Sequence, residues 1–237
     1  MVPDFSLILP TLNERRSLEV LGPRIEAAVA GYSAEAIVMD DCSTDGTAEW
    51  VEARRASNPL WRIIRRSGPK GLAAAVIDGF RAANGRVIVV MDADGSHPPE
   101  LVPKLVDPIA NGAAEFVLAS RGDIRDSKRG LNPTRKAISY VATLLARPLT
   151  SVSDPMSGFF ALDKEILSRS PLSPLGFKIG LEVLVCCRPT PIVEVSYIFQ
   201  NRIAGESKLG SRHIVEYLWH LLKLYRRKHA LRFLIRT

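Results

Sequence analysis

The sequence predicts an α/β fold, with a mostly parallel central sheet, helices on both faces and an amphipathic helix at the C-terminus. Short runs that are apolar throughout recur along the first half of the chain, alternating with helical stretches of similar length. Strands buried on both faces read this way, and their alternation with helices marks a parallel sheet covered on both sides. Polar, acid-rich loops follow two of these runs directly. They fall at the carboxyl ends of the strands, where such sheets bind ligands.

The elements follow in order. Residues 5–10, 36–39, 61–65, 87–91 and 116–119 read as strands. Residues 18–30, 48–56, 71–83 and 99–110 read as the helices between them. The second half is less regular, with a helix over 132–147 and strands over 157–162 and 192–201. Residues 214–228 carry Ile214, Tyr217, Leu218, Leu221, Leu222 and Tyr225 at helical spacing, which predicts one apolar stripe.

Composition narrows the function. The 237 residues are 46% hydrophobic and 24% charged, enough for one sizeable globular domain. No run reaches the ~18 apolar residues of a membrane span, and the chain enters a strand directly, with no signal peptide expected. Cys42, Cys186 and Cys187 have no zinc spacing, which predicts a reduced, cytoplasmic chain without disulfides. The net charge of +7 suits an anionic partner. Its source is mainly the tail, where Arg212, Lys223, Arg226, Arg227, Lys228, Arg232 and Arg236 stand against Glu216. Residues 1–211 therefore read as a catalytic domain and 212–237 as a basic amphipathic tail that lies on an anionic membrane or packs on the domain. Aromatics are only 7%, and those of the tail sit in its apolar stripe, which argues against nucleic acid.

The strongest motif is Met91-Asp92-Ala93-Asp94-Gly95-Ser96-His97-Pro98-Pro99-Glu100. On an extended segment two carboxylates one residue apart diverge; at a strand end, where the chain turns, both reach one cation. Hard oxygen ligands suit Mg²⁺ or Mn²⁺, which keep open positions for phosphate. Residues 41–52 place Asp41, Ser43, Asp45, Gly46 and Glu52 at the spacing of a calcium loop, but that motif needs a preceding helix where a strand is expected. The loop reads instead as a strand-to-helix turn that contacts a nucleotide or only caps the helix. Glu14 accepts from a base or ribose, or favours a helix N-terminus. Lys70-Gly71 lacks a phosphate-loop pattern. Arg121, Arg135, Arg202 and Lys208 are candidates for offsetting phosphate charge, and surface positions otherwise. His97, before two prolines, reads as structural rather than as a base.

Further motifs are Pro10-Thr11-Leu12-Asn13-Glu14, Asp40-Asp41-Cys42-Ser43-Thr44-Asp45-Gly46-Thr47, Ser120-Arg121, Arg135 with Ser139, Ser153-Asp154-Pro155, and Asn201-Arg202 followed by Gly205-Glu206-Ser207-Lys208-Leu209. With the Asp92 motif they run in order over nearly the whole chain. In them the sequence resembles the polyprenyl-phosphate glycosyltransferases of glycosyltransferase family 2, the dolichyl-phosphate mannosyltransferase type in particular. The resemblance implies a GT-A (nucleotide-diphospho-sugar transferase) fold and inverting transfer of mannose from GDP-mannose to dolichyl or polyprenyl phosphate. It implies Pro10, Leu12, Glu14, Met39, Asp41 and Ala93 around the nucleotide, and Asp92 and Asp94 on Mg²⁺ or Mn²⁺, with Ser96 in that shell. Arg121, Arg135 and Ser139 would receive the acceptor phosphate, and Arg202 and Lys208 would close over the diphosphate. Asp154 either binds sugar hydroxyls or caps a turn. The chain departs from the pattern at Leu12, often Tyr, at Ser96, often Gln, and in the loop 122–132. Such an acceptor is a phosphate monoester with a second pKa of about 6, so it needs no strong base. The implied setting is the cytoplasmic face of a membrane. UDP-glucose as donor, or another acceptor of the same family, is the alternative.

Overall fold

The computed structural model describes residues 2–121, 133–173, 176, 178–200, 202–203 and 211–234, except for the side chains of 133–139, 211–213 and 229–234. Seven strands form one sheet: β1 (Phe5–Thr11), β2 (Ala34–Asp40), β3 (Trp61–Arg65), β4 (Val87–Val90), β5 (Phe116–Arg121), β6 (Phe160–Asp163) and β7 (Ile192–Tyr197). Their order is β3-β2-β1-β4-β6-β5-β7. β6 runs antiparallel to both β4 and β5, and every other pair is parallel. Because β6 is reversed, the residues before it lie at the edge reached by the residues after β4 and β5. The stretch 153–158 is thereby delivered beside Asp92 and Arg121.

Side-chain alternation divides the core. Phe5, Leu7 and Leu9 of β1, with Ala36, Val38, Val87 and Val89, face one side. There they pack on Leu18, Leu21 and Ile25 of α1 (Arg15–Val29), Val51 of α2 (Thr47–Ser57), and Val102 and Leu105 of α4 (Val102–Ala110). Ile8, Ile37, Ile88 and Val90 face the other side, against Val76 and Phe80 of α3 (Leu72–Ala82) and Ile179 and Val183 of α6 (Ile179–Cys186). Each fully buried side chain of this size contributes ~1.5–3 kcal/mol, so these layers are the main source of stability.

A third cluster joins α6 to α5 (Pro133–Ala146) and α7 (Ser211–Leu234). It explains α6, which periodicity did not reveal. Leu181, Val185 and Cys186 face α7 while Ile179, Val183 and Leu184 face the sheet, so all eight residues are buried and no polar face marks the helix.

Other boundaries shift for local reasons. The expected strand over 157–162 starts only at Phe160, because Ser157 Oγ accepts the Phe159 N–H at 3.2 Å in a turn. The expected strand over 192–201 ends at Tyr197, the last partner of β5. Beyond it, Gln200 and Ile203 spend their N–H groups on Ser96 and Asp94. The helix expected at Pro99 opens as a 3₁₀ turn, Pro99–Leu101.

The expected single stripe on α7 is divided. Tyr217, Leu221 and Leu224 are buried, whereas Ile214, Leu218 and Leu222 are exposed beside Val215 and Trp219. The basic end is divided too. Arg227 donates to the Pro171 carbonyl (2.8 Å) and Lys228 to the Pro148 carbonyl (2.6 Å), so both face the protein. Lys223 and Arg226 face out.

Gly85 leads into β4 against the start of β1, and a Cβ there would lie 2.5 Å from the Phe5 carbonyl carbon. Since backbone cannot yield as a side chain can, Gly85→Ala should cost about 1–3 kcal/mol, read as a lowered denaturant midpoint at unchanged m-value.

Candidate functional site

The loops after β1, β2 and β4 and the end of β5 meet at the carboxyl edge of the sheet. The first two interlock: Asn13, at φ 57°, accepts the Thr44 N–H through Oδ1 (2.8 Å) and donates its N–H to Ser43 Oγ (2.8 Å). The calcium reading of the second loop fails on its frame, since β2 and not a helix precedes it. Asp45 accepts the Thr47 N–H (3.0 Å) and the Arg15 N–H (3.0 Å), tying α2 to the start of α1.

Asp41 is buried and accepts from the Arg66 guanidinium and from the Gly71 N–H (2.9 Å). Arg66, also buried, further donates to Asp78 (3.0 Å) and to the Pro69 carbonyl (2.9 Å). Arg66 follows β3 and its N–H continues the ladder to Asp40. It was missed in the sequence because no motif surrounds it; its place after an apolar strand was the available signal. With Met39, Ile64 and Gly68 it lines an open cleft of about 380 Å³.

After β4 the chain turns through Asp92 to His97. Gly95 sits at φ +87°, where a Cβ would also strike Ile203 at 2.6 Å. Asp94 is buried; its Oδ1 accepts the Ser96 N–H (2.9 Å) and its Oδ2 lies 2.9 Å from Arg202 Nε. Gln200, Arg202 and Ile203 lie over this turn, with Ile203 N–H on the Asp94 carbonyl (2.9 Å) and Gln200 N–H on the Ser96 carbonyl (3.2 Å). Asp92 is half-buried. Burial raises its carboxyl pKa and the like charge of Asp94 adds to the rise, while His97 most strongly, then Lys178 and Arg202, oppose it.

His97 is enclosed, stacked on Phe159 at 4.9 Å. Its Nδ1 accepts the Asp92 N–H at 3.0 Å, which leaves the proton of the neutral ring on Nε2. Burial lowers its pKa against the pull of Asp92 and Asp94. It therefore braces the turn, as expected of a structural histidine.

Arg121 ends β5 and meets Asp154 as a two-pronged pair, with Nε and a terminal nitrogen each at 2.7 Å. Burial alone would raise the Asp154 pKa, but Arg121 overcomes this and holds it below the ordinary range. Asp154 thus aims an arginine. Lys178, which no motif marked, enters the same region as the residue before α6. Its Nζ donates to the Met156 carbonyl at 2.5 Å. The Tyr197 hydroxyl is enclosed without a hydrogen bond of proper geometry among the described residues, Ser157 approaching it only weakly.

The other expected residues distribute as follows. Pro10 and Met39 end β1 and β2, and Leu12, Ala93 and Ser96 lie in the loops of this edge. Glu14 caps α1 and accepts from Ser17 Oγ at 2.8 Å. The side chains of Arg135 and Ser139, all of Lys208, and the loop 122–132 lie outside the described residues. Among the described residues no three His, Cys, Asp or Glu side chains form a metal cage. Asp92 and Asp94 fit a hard divalent cation that takes its remaining ligands from phosphate and water.

A mostly parallel sheet of this order, with acidic turns at its carboxyl edge, is a GT-A-type fold. Residues 6–170 match the family described as Glycosyl transferase family 2, and the chain belongs to that family. It is 43% identical over 223 residues to the dolichol-phosphate mannosyltransferase of Pyrococcus furiosus, covering 92% of this chain and 63% of that protein. The chain thus spans less than two thirds of that relative. It is 41% identical to the dolichol-phosphate mannosyltransferase of Mycosarcoma maydis, covering 94% of this chain and 80% of that one. The fold also matches glucosyl-3-phosphoglycerate synthase from Mycobacterium tuberculosis, in complex with Mn²⁺, UDP and glucosyl-3-phosphoglycerate. The TM-score is 0.70 at 21% identity, over 96% of this chain and 80% of that one.

His97→Ala removes an acceptor from a backbone N–H and leaves a cavity, a loss of about 2–4 kcal/mol in stability. The residual activity should keep the wild-type pH profile. Disappearance of an acid limb would make His97 a base instead.

Proposed function

We propose that the chain transfers mannose from GDP-mannose to a polyprenyl phosphate such as dolichyl phosphate, with inversion at the anomeric carbon. The observation that carries this reading is the meeting of two charge systems at one edge: Asp92 and Asp94 after β4, Arg121 with Asp154 after β5. The named relatives support the same chemistry.

Asp41 and Arg66 offer a carboxylate and a guanidinium to the nucleotide's polar edges, beside Pro10, Leu12, Glu14, Met39 and Ala93. Asp92 and Asp94 would hold Mg²⁺ or Mn²⁺, with Ser96 in its surroundings. When bound, that cation stabilises charge on the departing diphosphate. Arg202, with Lys208, faces the same diphosphate. Arg121 orients the acceptor phosphate, Asp154 fixing its fork, with Arg135 and Ser139 beside it. A phosphate oxygen bonds to the anomeric carbon as the bond to the donor's β-phosphate oxygen breaks, and GDP leaves. No proton need be removed from an acceptor already ionised at neutral pH. The protein's contribution is positioning and electrostatics.

We further place the enzyme peripherally on the cytoplasmic face of a membrane. Among the described residues no helix is long and apolar enough to cross one. Ile214, Val215, Leu218, Trp219 and Leu222 of α7 and Tyr140, Val141, Leu144 and Leu145 of α5 are nevertheless exposed, with Lys223 and Arg226 beyond them. Such a face suits an anionic leaflet.

Radiolabelled GDP-mannose and UDP-glucose offered with polyprenyl phosphate test the reaction. Mannose alone should be transferred, lost with a chelator and regained with Mg²⁺ or Mn²⁺. Asp92→Ala and Asp94→Ala should each lower kcat by about 10³-fold or more. Near-normal turnover in either would refute the metal assignment, and glucose transfer alone would move the donor to UDP-glucose. For the membrane, Leu218→Ser with Trp219→Ser should abolish co-sedimentation with phosphatidylglycerol vesicles. Unchanged sedimentation would remove the membrane from the account.

A further inference from the structure

Lys178 lies at the seam between the two halves of the site. The turn that tethers its ammonium, through the Met156 carbonyl, also carries Asp154, the partner of Arg121. Two residues past Met156, a Cβ at Gly158 would stand 3.7 Å from Asp92 Oδ2, so the same turn borders the metal carboxylates. The ammonium feels Arg121 repulsively and Asp92 and Asp154 attractively. Burial, with Arg121, pushes it down to about 8.

Two cations anchored to one partly enclosed turn, Arg121 through Asp154 and Lys178 through the Met156 carbonyl, raise the energy of the free protein. An incoming anion relieves that repulsion, and so the arrangement marks an anion site. Charge counting leads to the same place. Among the described residues the carboxylates Asp92, Asp94 and Asp154 stand with the cations Arg121, Lys178 and Arg202, and a further carboxylate, Glu194, bonds the same turn at Ser153. A divalent cation and the donor's diphosphate add about equal and opposite charge. The acceptor phosphate, with about −1.5 to −2 at neutral pH, then has to be received by the cations on its own side. Arg202 is on the Asp94 side, whereas Lys178 is tethered to the turn whose Asp154 holds Arg121.

Building on the proposed function, we propose that Lys178 binds the acceptor phosphate together with Arg121. It would hold the attacking oxygen beside the donor's sugar. The turn 153–158 would then serve both anions at once, Asp154 aiming Arg121 and the Met156 carbonyl aiming Lys178.

The test is binding of farnesyl phosphate, a short-chain polyprenyl phosphate, to the full chain by calorimetry, with GDP binding in the presence of Mg²⁺ as the control. Lys178→Met should raise the farnesyl phosphate Kd about tenfold or more and leave the GDP Kd within about twofold. Lys178→Arg should recover part of the loss. An unchanged farnesyl phosphate Kd in Lys178→Met, or a GDP Kd rising in step, would overturn the proposal. Should Lys178→Met fail to fold, the wild type decides. Acetylation of Lys178 by acetic anhydride, followed by peptide mass spectrometry, should be slowed by farnesyl phosphate and not by GDP. Equal or absent protection would overturn it. Wild type that binds farnesyl phosphate yet transfers no mannose would refute the proposed donor while leaving Lys178 tested on its own.

Discussion

The structure turns on one constraint: negative charge gathered at the edge of an apolar sheet has to be offset where it stands. Asp41, Asp94 and Asp154 are all nearly enclosed, and an unpaired buried carboxylate would cost several kcal/mol. Each therefore pins something. Asp41 draws in Arg66 and the start of α3, Asp94 draws in Arg202, and Asp154 draws in Arg121. The loops of the edge are ordered largely by these attachments. Their order in turn leaves Asp92 half-open two residues before Asp94.

Topology supplies the second half of the site. If β6 ran parallel to its neighbours, residues 153–158 would emerge at the opposite edge, and Arg121 would lose the group that aims it. Reversal of that one strand brings the carboxylates after β4 and the Arg121–Asp154 pair to one edge. Beneath them lies α6, buried on both faces, with Lys178 just before it. Within α6, Glu182 accepts the Ser173 N–H at 2.6 Å and meets His220 of α7 at 3.1 Å. The helix that carries the exposed apolar face is thereby fastened to the helix that carries a cation into the site. On the proposed reading, approach to a lipid surface and placement of the lipid's phosphate would share one support.

The first half of the fold was legible because its physics is local. Strands 5–11, 34–40 and 87–90 are apolar runs, and the turns after them carry acids that only a strand end could bring together. The Asp92 motif and the expectation of a structural His97 followed from that pattern. What escaped depended on distance in the chain. Arg66 and Lys178 belong to no motif, and they reach the site through pairings of strands and helices far apart in sequence. Helix α6 was hidden because a helix sandwiched between layers has no polar stripe. The stripe of α7 looked single because periodicity identifies an apolar face without saying what covers each part of it.

The central claim is that Asp92 and Asp94 become one cation site only with a nucleotide diphosphate to complete it. Titration of Mn²⁺ followed by its free electron paramagnetic resonance signal tests this directly. Weak uptake by the protein alone, strong uptake once GDP is added, and loss of both in Asp92→Asn is the predicted result. Undiminished Mn²⁺ and GDP binding in Asp92→Asn would contradict it.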